Sequence, residues 1–287
     1  MKRVGLIVSM VLLATSISAQ QRHLVLWNND SAPHSNGLSG EAYEQSRGAW
    51  RNTTQTDMWI FEANPERKNG KAIVYFPGGG YYTVGTGFAL GKRFADAGYT
   101  VACVRYRLPN GHSEIPLEDA EEALRVMRTM ADEMGFDSSL VGVMGTSAGG
   151  YLAASLSVLS LSKPFFSILI YPVISADKAI RHEGTFINLL GQEDANDPCK
   201  AGLFSLDKRV DAATPPAVII HCDDDKVVPS VNSTLYYNAL KRYGTDAALY
   251  IFPSGGHGWS GSKSFRYHDE WFAAVTDWLD RLPMPTE

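Results

Sequence analysis

Three stretches of this chain carry residues suited by type and spacing to acyl-group chemistry. Gly145-Thr146-Ser147-Ala148-Gly149-Gly150 sets one serine among small residues, between an apolar run, Leu140–Met144, and a helical pattern, Tyr151–Ser160. That context predicts a tight, strained strand-to-helix turn that presents the Ser147 hydroxyl above a sheet edge, with glycines letting the two elements approach. A serine hydroxyl is a poor nucleophile at neutral pH until a base takes its proton, and the base needs a carboxylate to fix its tautomer. Downstream, the run Ala217–Cys222 ends in Asp223-Asp224-Asp225, and Ala247–Phe252 leads to Gly255-Gly256-His257-Gly258-Trp259. The order serine, acid, histidine is one in which such triads occur. Asp225 is the favoured acid because it stands furthest along its turn, ahead of the Val227-Val228-Pro229 that opens the next helix, and Asp224 is the alternative. His221 lies inside a strand and reads as a core histidine, while His23, His34, His112, His182 and His268 lack a strand-end context. A calcium site on Asp223–Asp225 is disfavoured, since carboxylates packed so closely repel and usually belong to a solvated turn.

A further segment supplies the electrophilic half. The run Ala72–Phe76 leads into Pro77-Gly78-Gly79-Gly80-Tyr81. Three successive glycines cost backbone entropy, so they mark a place where main-chain N–H groups turn toward a ligand, as an oxyanion hole requires. The residue after the nucleophile, Ala148, supplies another such amide. Loss of one donor of this kind typically costs ~3 kcal/mol of transition-state stabilisation.

The elements that must position these groups alternate between strand and helix. Further apolar, β-branched or aromatic runs occur at Asp57–Ala63, Thr100–Tyr106 and Phe165–Tyr171, and helical patterns at Gly85–Ala97, Pro116–Met134, Ser230–Tyr243 and Tyr267–Leu282. Strands that are apolar throughout are buried on both faces, which predicts a mostly parallel, doubly wound α/β sheet with helices on each side. Each candidate group then falls at a carboxyl end of a strand, where ligands of such sheets bind. Between Ser175 and Pro216 no strand signal appears, and Phe186, Ile187, Leu189, Leu190, Leu203 and Phe204 predict an ordered, cap-like insertion of short helices.

Composition bounds the function. The 287 residues are 45% hydrophobic and 20% charged, enough for a full-sized core and incompatible with a disordered chain. A net charge of −5 argues against a nucleic-acid partner. Lys2 and Arg3, the apolar run Val4–Ala14 and the small residues up to Ala19 read as a secretory signal peptide over 1–19, leaving 20–287 as one catalytic domain that is secreted or periplasmic. No other stretch is long and apolar enough to predict a membrane span. Cys103 and Cys222 lie in strand-like runs and read as buried, Cys199 makes an odd third, and no His/Cys spacing suggests a metal. The chemistry needs no cofactor, and the oligomeric state is not encoded in any pattern of this kind.

The motifs FPGGGYY, VRYRLP, GTSAGGYLAA, ILIYPVIS, NLLG, TPPAVIIHCDDDKVVPSVNS with LYYNAL, and FPSGGHGW together resemble the secreted α/β-hydrolase carbohydrate esterases of the acetyl xylan esterase-like group, related to bifunctional acetylxylan and feruloyl esterases. The similarity spans roughly Val74 to Trp259. It implies an α/β-hydrolase fold and removal of O-acetyl groups from plant-type sugars, chiefly xylan. Matched position by position, it implies Ser147 as nucleophile, Asp225 as acid, His257 as base, and Gly79, Gly80 and Ala148 as oxyanion donors. Pro77 stands where many wider esterases have histidine, and proline there is usual within the acetyl xylan esterase-like group. Tyr81, Tyr82 and Trp259 are candidates for stacking on a sugar ring, with packing of the loops as the alternative. A feruloyl esterase or small peptidase on the same scaffold, and an inactive sugar-binding hydrolase, are the competing readings.

Overall fold

Strands apolar along their whole length are so here because helices cover both faces of the sheet. The computed structural model describes residues 21–45 and 48–283; the expected signal peptide lies outside the described residues. The strands are β1 (Gln21–Asn28), β2 (Tyr43–Gln45), β3 (Ala49–Arg51), β4 (Gln55–Phe61), β5 (Ala72–Phe76), β6 (Val84–Gly85), β7 (Thr100–Arg105), β8 (Val141–Thr146), β9 (Ser167–Ile170), β10 (Ala217–Cys222) and β11 (Ala247–Phe252). The helices are α1 (Phe88–Asp96), α2 (Ile115–Thr129), α3 (Ala131–Met134), α4 (Ala148–Leu159), α5 (Glu183–Leu190), α6 (Gln192–Asn196), α7 (Pro198–Gly202), α8 (Val231–Arg242) and α9 (His268–Asp280). An eight-stranded sheet runs β1-β4-β7-β5-β8-β9-β10-β11, parallel from β7 to β11, with β4 antiparallel to both its neighbours.

Alternation along β5 shows how the core divides. Ala72, Val74 and Phe76 join a cluster with Ala120 and Leu124 of α2, Leu152 of α4 and Tyr236 of α8. Ile73 and Tyr75 point the other way, to Phe94 of α1 and Trp271 and Leu279 of α9. Successive side chains of a strand face opposite sides, so a five-residue strand with every position buried requires both layers. β5 and β8 are neighbours, and the chain reaches their flanking strands in opposite directions. This is the switch point of an open α/β sheet, where the loops after adjacent strands part and leave a crevice.

Several elements depart from the expected boundaries. β1 carries no continuous apolar run: Leu24 and Leu26 are half-buried, while His23 and Val25, alternating with them, are exposed, as an edge strand covered on one side requires. β2, β3 and β6 form a small second sheet too short to register as a pattern. The helix expected from Gly85 starts at Phe88, because Val84 and Gly85 pair with β3 and Gly87 turns the chain at φ 68°. The single helix expected over Pro116–Met134 breaks at Met130, where ψ reaches 0° and the amide bonds Met127 three residues back. Between β9 and β10 the chain forms α5, α6, α7 and a 3-10 turn. Phe186, Leu189 and Leu190 from this stretch join the core, whereas Leu203 is exposed.

Candidate active site

The turn after β8 is fixed by close backbone approach. Ser147 sits at φ 54°, ψ −122°, a strained conformation for a residue with a side chain. A Cβ on Gly145 would lie 2.0 Å from the Gly149 carbonyl oxygen, and one on Gly149 would lie 2.0 Å from that of Phe76. The backbone is tied on both sides: the Ser147 amide donates to Ile170 (3.1 Å), and its carbonyl accepts from Tyr151 and Val173, both 3.1 Å. Ser147 thus immediately precedes α4, whose first amides have no carbonyl one turn back.

Loops after β8, β10 and β11 converge on this serine. The Ser147 hydroxyl lies 2.8 Å from His257 Nε2, and His257 Nδ1 lies 2.6 Å from Asp225 Oδ2. A histidine donating through Nδ1 to the carboxylate presents Nε2 as the acceptor for the serine proton. Asp225 is buried, and its other oxygen accepts from the amides of Val227 (2.9 Å) and Val228 (3.0 Å). Burial works to raise the Asp225 pKa, but hydrogen bonds from His221 and His257, joined by the Val228 amide, hold it well below the usual carboxylate range. Asp224 serves differently: its oxygens accept from the amides of Gly255 (3.2 Å) and Gly256 (2.7 Å), anchoring the loop that carries His257. His221 is a buried histidine, as expected, yet it also touches the site. Its Nε2 lies 2.9 Å from the Val228 carbonyl and 3.2 Å from Asp225 Oδ2, and Nδ1 lies 2.7 Å from the Ser233 hydroxyl.

The glycine loop after β5 forms the facing wall. Gly78 N–H donates to Thr146 Oγ1 (2.9 Å), while the Gly79 carbonyl accepts from Tyr82 and Thr83 and the Gly80 carbonyl from Asn188 Nδ2 (2.8 Å). The amides of Gly79 and Gly80 donate to no protein acceptor among the described residues. A Cβ on Gly79 would lie 2.1 Å from the Thr83 carbonyl oxygen, so no other residue fits this turn unchanged. Gly79, Gly80, Ser147 and His257 line a cavity of about 650 Å³.

The three expected sugar-stacking aromatics divide. Tyr81 is only 2% exposed and packs edge-on against Tyr106 and Tyr151, so it belongs to the core. Trp259 is 4% exposed and stacks on Phe265 at 4.2 Å, so it supports the histidine loop from beneath. Tyr82 is 55% exposed and lines the cavity. Sequence reasoning missed Tyr171, whose ring lies 4.6 Å from that of His257, and His182 and Asn188, which line the cavity from the helical stretch. His182 Nδ1 accepts from the Thr185 amide (3.2 Å) as the N-cap of α5. Burial lowers the His182 pKa, and the neighbouring His257 lowers it further. Among the described residues no three His, Cys, Asp or Glu side chains form a metal-ligand set, Asp223–Asp225 included, and no helix is long and apolar enough to cross a membrane.

A sheet of this order, with a strained serine at its switch point and an acid and a histidine on the next strand ends, defines a hydrolase of the α/β class. The chain belongs to the alpha/beta hydrolase fold family, whose profile matches residues 73–261. It is 40% identical over 230 residues to an acetylxylan esterase of Xylanibacter ruminicola, covering 78% of this chain and 48% of that protein. It is 35% identical over 156 residues to endo-1,4-beta-xylanase B of Butyrivibrio fibrisolvens, covering 50% of this chain and 24% of that one. The chain therefore spans half or less of the length of these two curated relatives. Among solved structures, an acetyl ester-xyloside bifunctional hydrolase from Caldicellulosiruptor lactoaceticus superposes with a TM-score of 0.74 at 27% identity, covering 93% of this chain and 98% of that one.

Proposed function

We propose that this protein is a serine carboxylic-ester hydrolase that removes O-acetyl groups from xylan-type polysaccharides or oligosaccharides. The observation that carries the reading is the unbroken relay from Ser147 through His257 to buried Asp225, at 2.8 and 2.6 Å, facing a loop whose glycine amides are unspent. The acetylxylan esterase relative supports the substrate class.

On this reading His257 Nε2 takes the Ser147 proton as Oγ attacks the ester carbonyl. The amides of Gly79, Gly80 and Ala148 hold the resulting oxyanion, each worth ~3 kcal/mol to the transition state. The sugar alcohol departs with the proton from His257, leaving acetyl-Ser147. Water, deprotonated by the same imidazole, then frees acetate. Asp225 keeps His257 in the productive tautomer and steadies its positive charge. Residues 20–287 act as one catalytic domain, with 175–216 as a cap that contributes His182 and Asn188 to the cavity.

Acetate release from acetylated xylo-oligosaccharides tests the proposal: it is expected from the wild type and abolished in Ser147→Ala, and activity surviving that change would remove the nucleophile assignment. Faster turnover of methyl ferulate or aminoacyl anilides than of acetylated xylan would move the substrate class to a feruloyl esterase or peptidase. The basic, apolar and small-residue leader supports export from the cytoplasm, which N-terminal sequencing of protein recovered from a secreting host tests.

A further inference from the structure

The cavity over Ser147 continues past Tyr82. A second depression of about 230 Å³ shares Tyr82 and Asn188 with it and runs over Tyr43, Arg51, Asn52 and Asn110. Asn52 (φ 51°), Tyr81 (φ 59°) and Asn110 (φ 50°), three of the five non-glycine residues at positive φ among those described, line this depression. Backbone held in that region clusters where ligands are clamped. The asparagines share a pattern. Asn52 Nδ2 donates to the Ser39 carbonyl (2.8 Å), Asn110 Nδ2 to that of Asn36 (3.0 Å) and Asn188 Nδ2 to that of Gly80 (2.8 Å). Each amide nitrogen thus donates to the backbone, and no donor among the described residues reaches the three carboxamide oxygens, which remain as acceptors for hydroxyl groups.

Arg51 supplies charge to the same groove. Its guanidinium carbon lies 3.7 Å from the centroid of the exposed Tyr82 ring, and its Nε is buried with no acceptor among the described residues. The interior arginines of this protein are paired, Arg105 with Asp57 and Arg107 with Asp119, whereas Arg51 has no ion-pair partner among the described residues. Among the described residues no carboxylate lines either depression. A planar guanidinium stacked on an aromatic ring, with its edge uncompensated, matches a carboxylate in two parallel hydrogen bonds. The net charge of −5 disfavours a polyanion but not one carboxylate met by one arginine.

We propose that this groove is a subsite for an acidic sugar: a uronate unit of the acetylated glycan, its carboxylate on Arg51, its ring against Tyr82 and its hydroxyls on the asparagine oxygens. This deepens the deacetylase reading and rests on it for the acyl group.

The experiment compares kcat/KM for an acetylated xylo-oligosaccharide bearing one glucuronic acid branch with the same compound after its carboxyl is reduced to the neutral alcohol. The wild type is expected to prefer the acid by about tenfold at low salt, the preference shrinking above ~0.1 M salt as charges are screened. In Arg51→Gln the ratio should fall to about one, with Arg51→Lys intermediate because an ammonium cannot grip both oxygens. A ratio near one in the wild type, or a preference retained in Arg51→Gln, overturns the proposal. Calorimetric binding of the deacetylated acidic oligosaccharide to Ser147→Ala separates the two claims. Binding that Arg51→Gln in the same background weakens about tenfold supports the subsite even if the wild type releases no acetate from either glycan; absence of any such loss removes the subsite.

Discussion

Replacing Asp225 by asparagine tests the relay at the joint where its geometry is most specific. The side-chain oxygen of the amide can still accept from Val227 and Val228, which now reach Asp225 at 2.9 and 3.0 Å. Its NH2 is then turned toward His257 Nδ1, 2.6 Å away in the wild type. A donor there forces Nδ1 to accept, so the imidazole proton moves to Nε2 and points at Ser147 Oγ, 2.8 Å away, making the base a donor. A wrong tautomer in an otherwise intact triad is expected to lower kcat by about 10⁴, or about 5 kcal/mol of barrier. The assay is hydrolysis of p-nitrophenyl acetate and of acetylated xylo-oligosaccharide, with circular dichroism to show that the fold persists. Asp224→Asn is the matched control: its remaining oxygen still accepts from the Gly256 amide, so a loss under about tenfold is expected. Activity of Asp225→Asn within tenfold of wild type, or a deeper loss in Asp224→Asn, would refute the reasoning. The same variant alters stability against pH. The folded-state pKa of Asp225 lies below its unfolded value, so its ionised form favours the native state above the carboxylate range and loses that advantage as pH falls through it. Asp225→Asn should therefore show a shallower acid limb in thermal melts.

Gly79→Ala places a Cβ 2.1 Å from the Thr83 carbonyl oxygen, so kcat should fall by at least about tenfold as the loop amides shift, while the thermal midpoint, set by the sheet, moves less. Tyr81→Ala should destabilise the fold by about 3 kcal/mol, the scale of truncating a buried aromatic, whereas Tyr82→Ala should leave the melting temperature nearly unchanged and raise KM for oligosaccharides. His182 is held neutral by burial and by His257, so the unfolded chain takes up its proton first as pH falls, and stability declines through the ordinary histidine range. His182→Asn, which can keep the N-cap of α5, should flatten that part of the stability profile without unfolding the helix.

What the sequence conveys follows from how each element is covered. β5, β8, β9 and β10 are legible because burial on both faces leaves an unbroken apolar run. β1 is not, since a half-covered edge strand alternates, and β6 is two residues long. The serine, histidine and third aspartate are legible as a pattern of strand ends, and the structure brings Asp225 rather than Asp224 to the imidazole. The task of Asp224 was hidden because its partners are amides 31 and 32 residues away. Neighbouring tyrosines at 81 and 82 look alike in sequence; the left-handed turn at Tyr81 buries that ring and leaves the next one outside. His182 is set aside in the sequence for want of a strand-end context: it stands at a helix start, where serine, threonine, aspartate and asparagine are the usual caps.

The crowding around the elbow limits how this protein can change. A Cβ on Gly145 or Gly149 would lie 2.0 Å from a backbone oxygen and one on Gly150 would lie 2.8 Å from the Pro172 side chain, so a methyl group at any of the three must push main chain or proline aside. Oγ itself projects into the cavity and is absent from that packing. Drift can therefore erase the nucleophile without disturbing the scaffold, but it has no short route to moving the nucleophile elsewhere. For the experimenter the same asymmetry makes Ser147→Ala a faithful decoy, suited to capturing an intact ester in the crevice for crystallography.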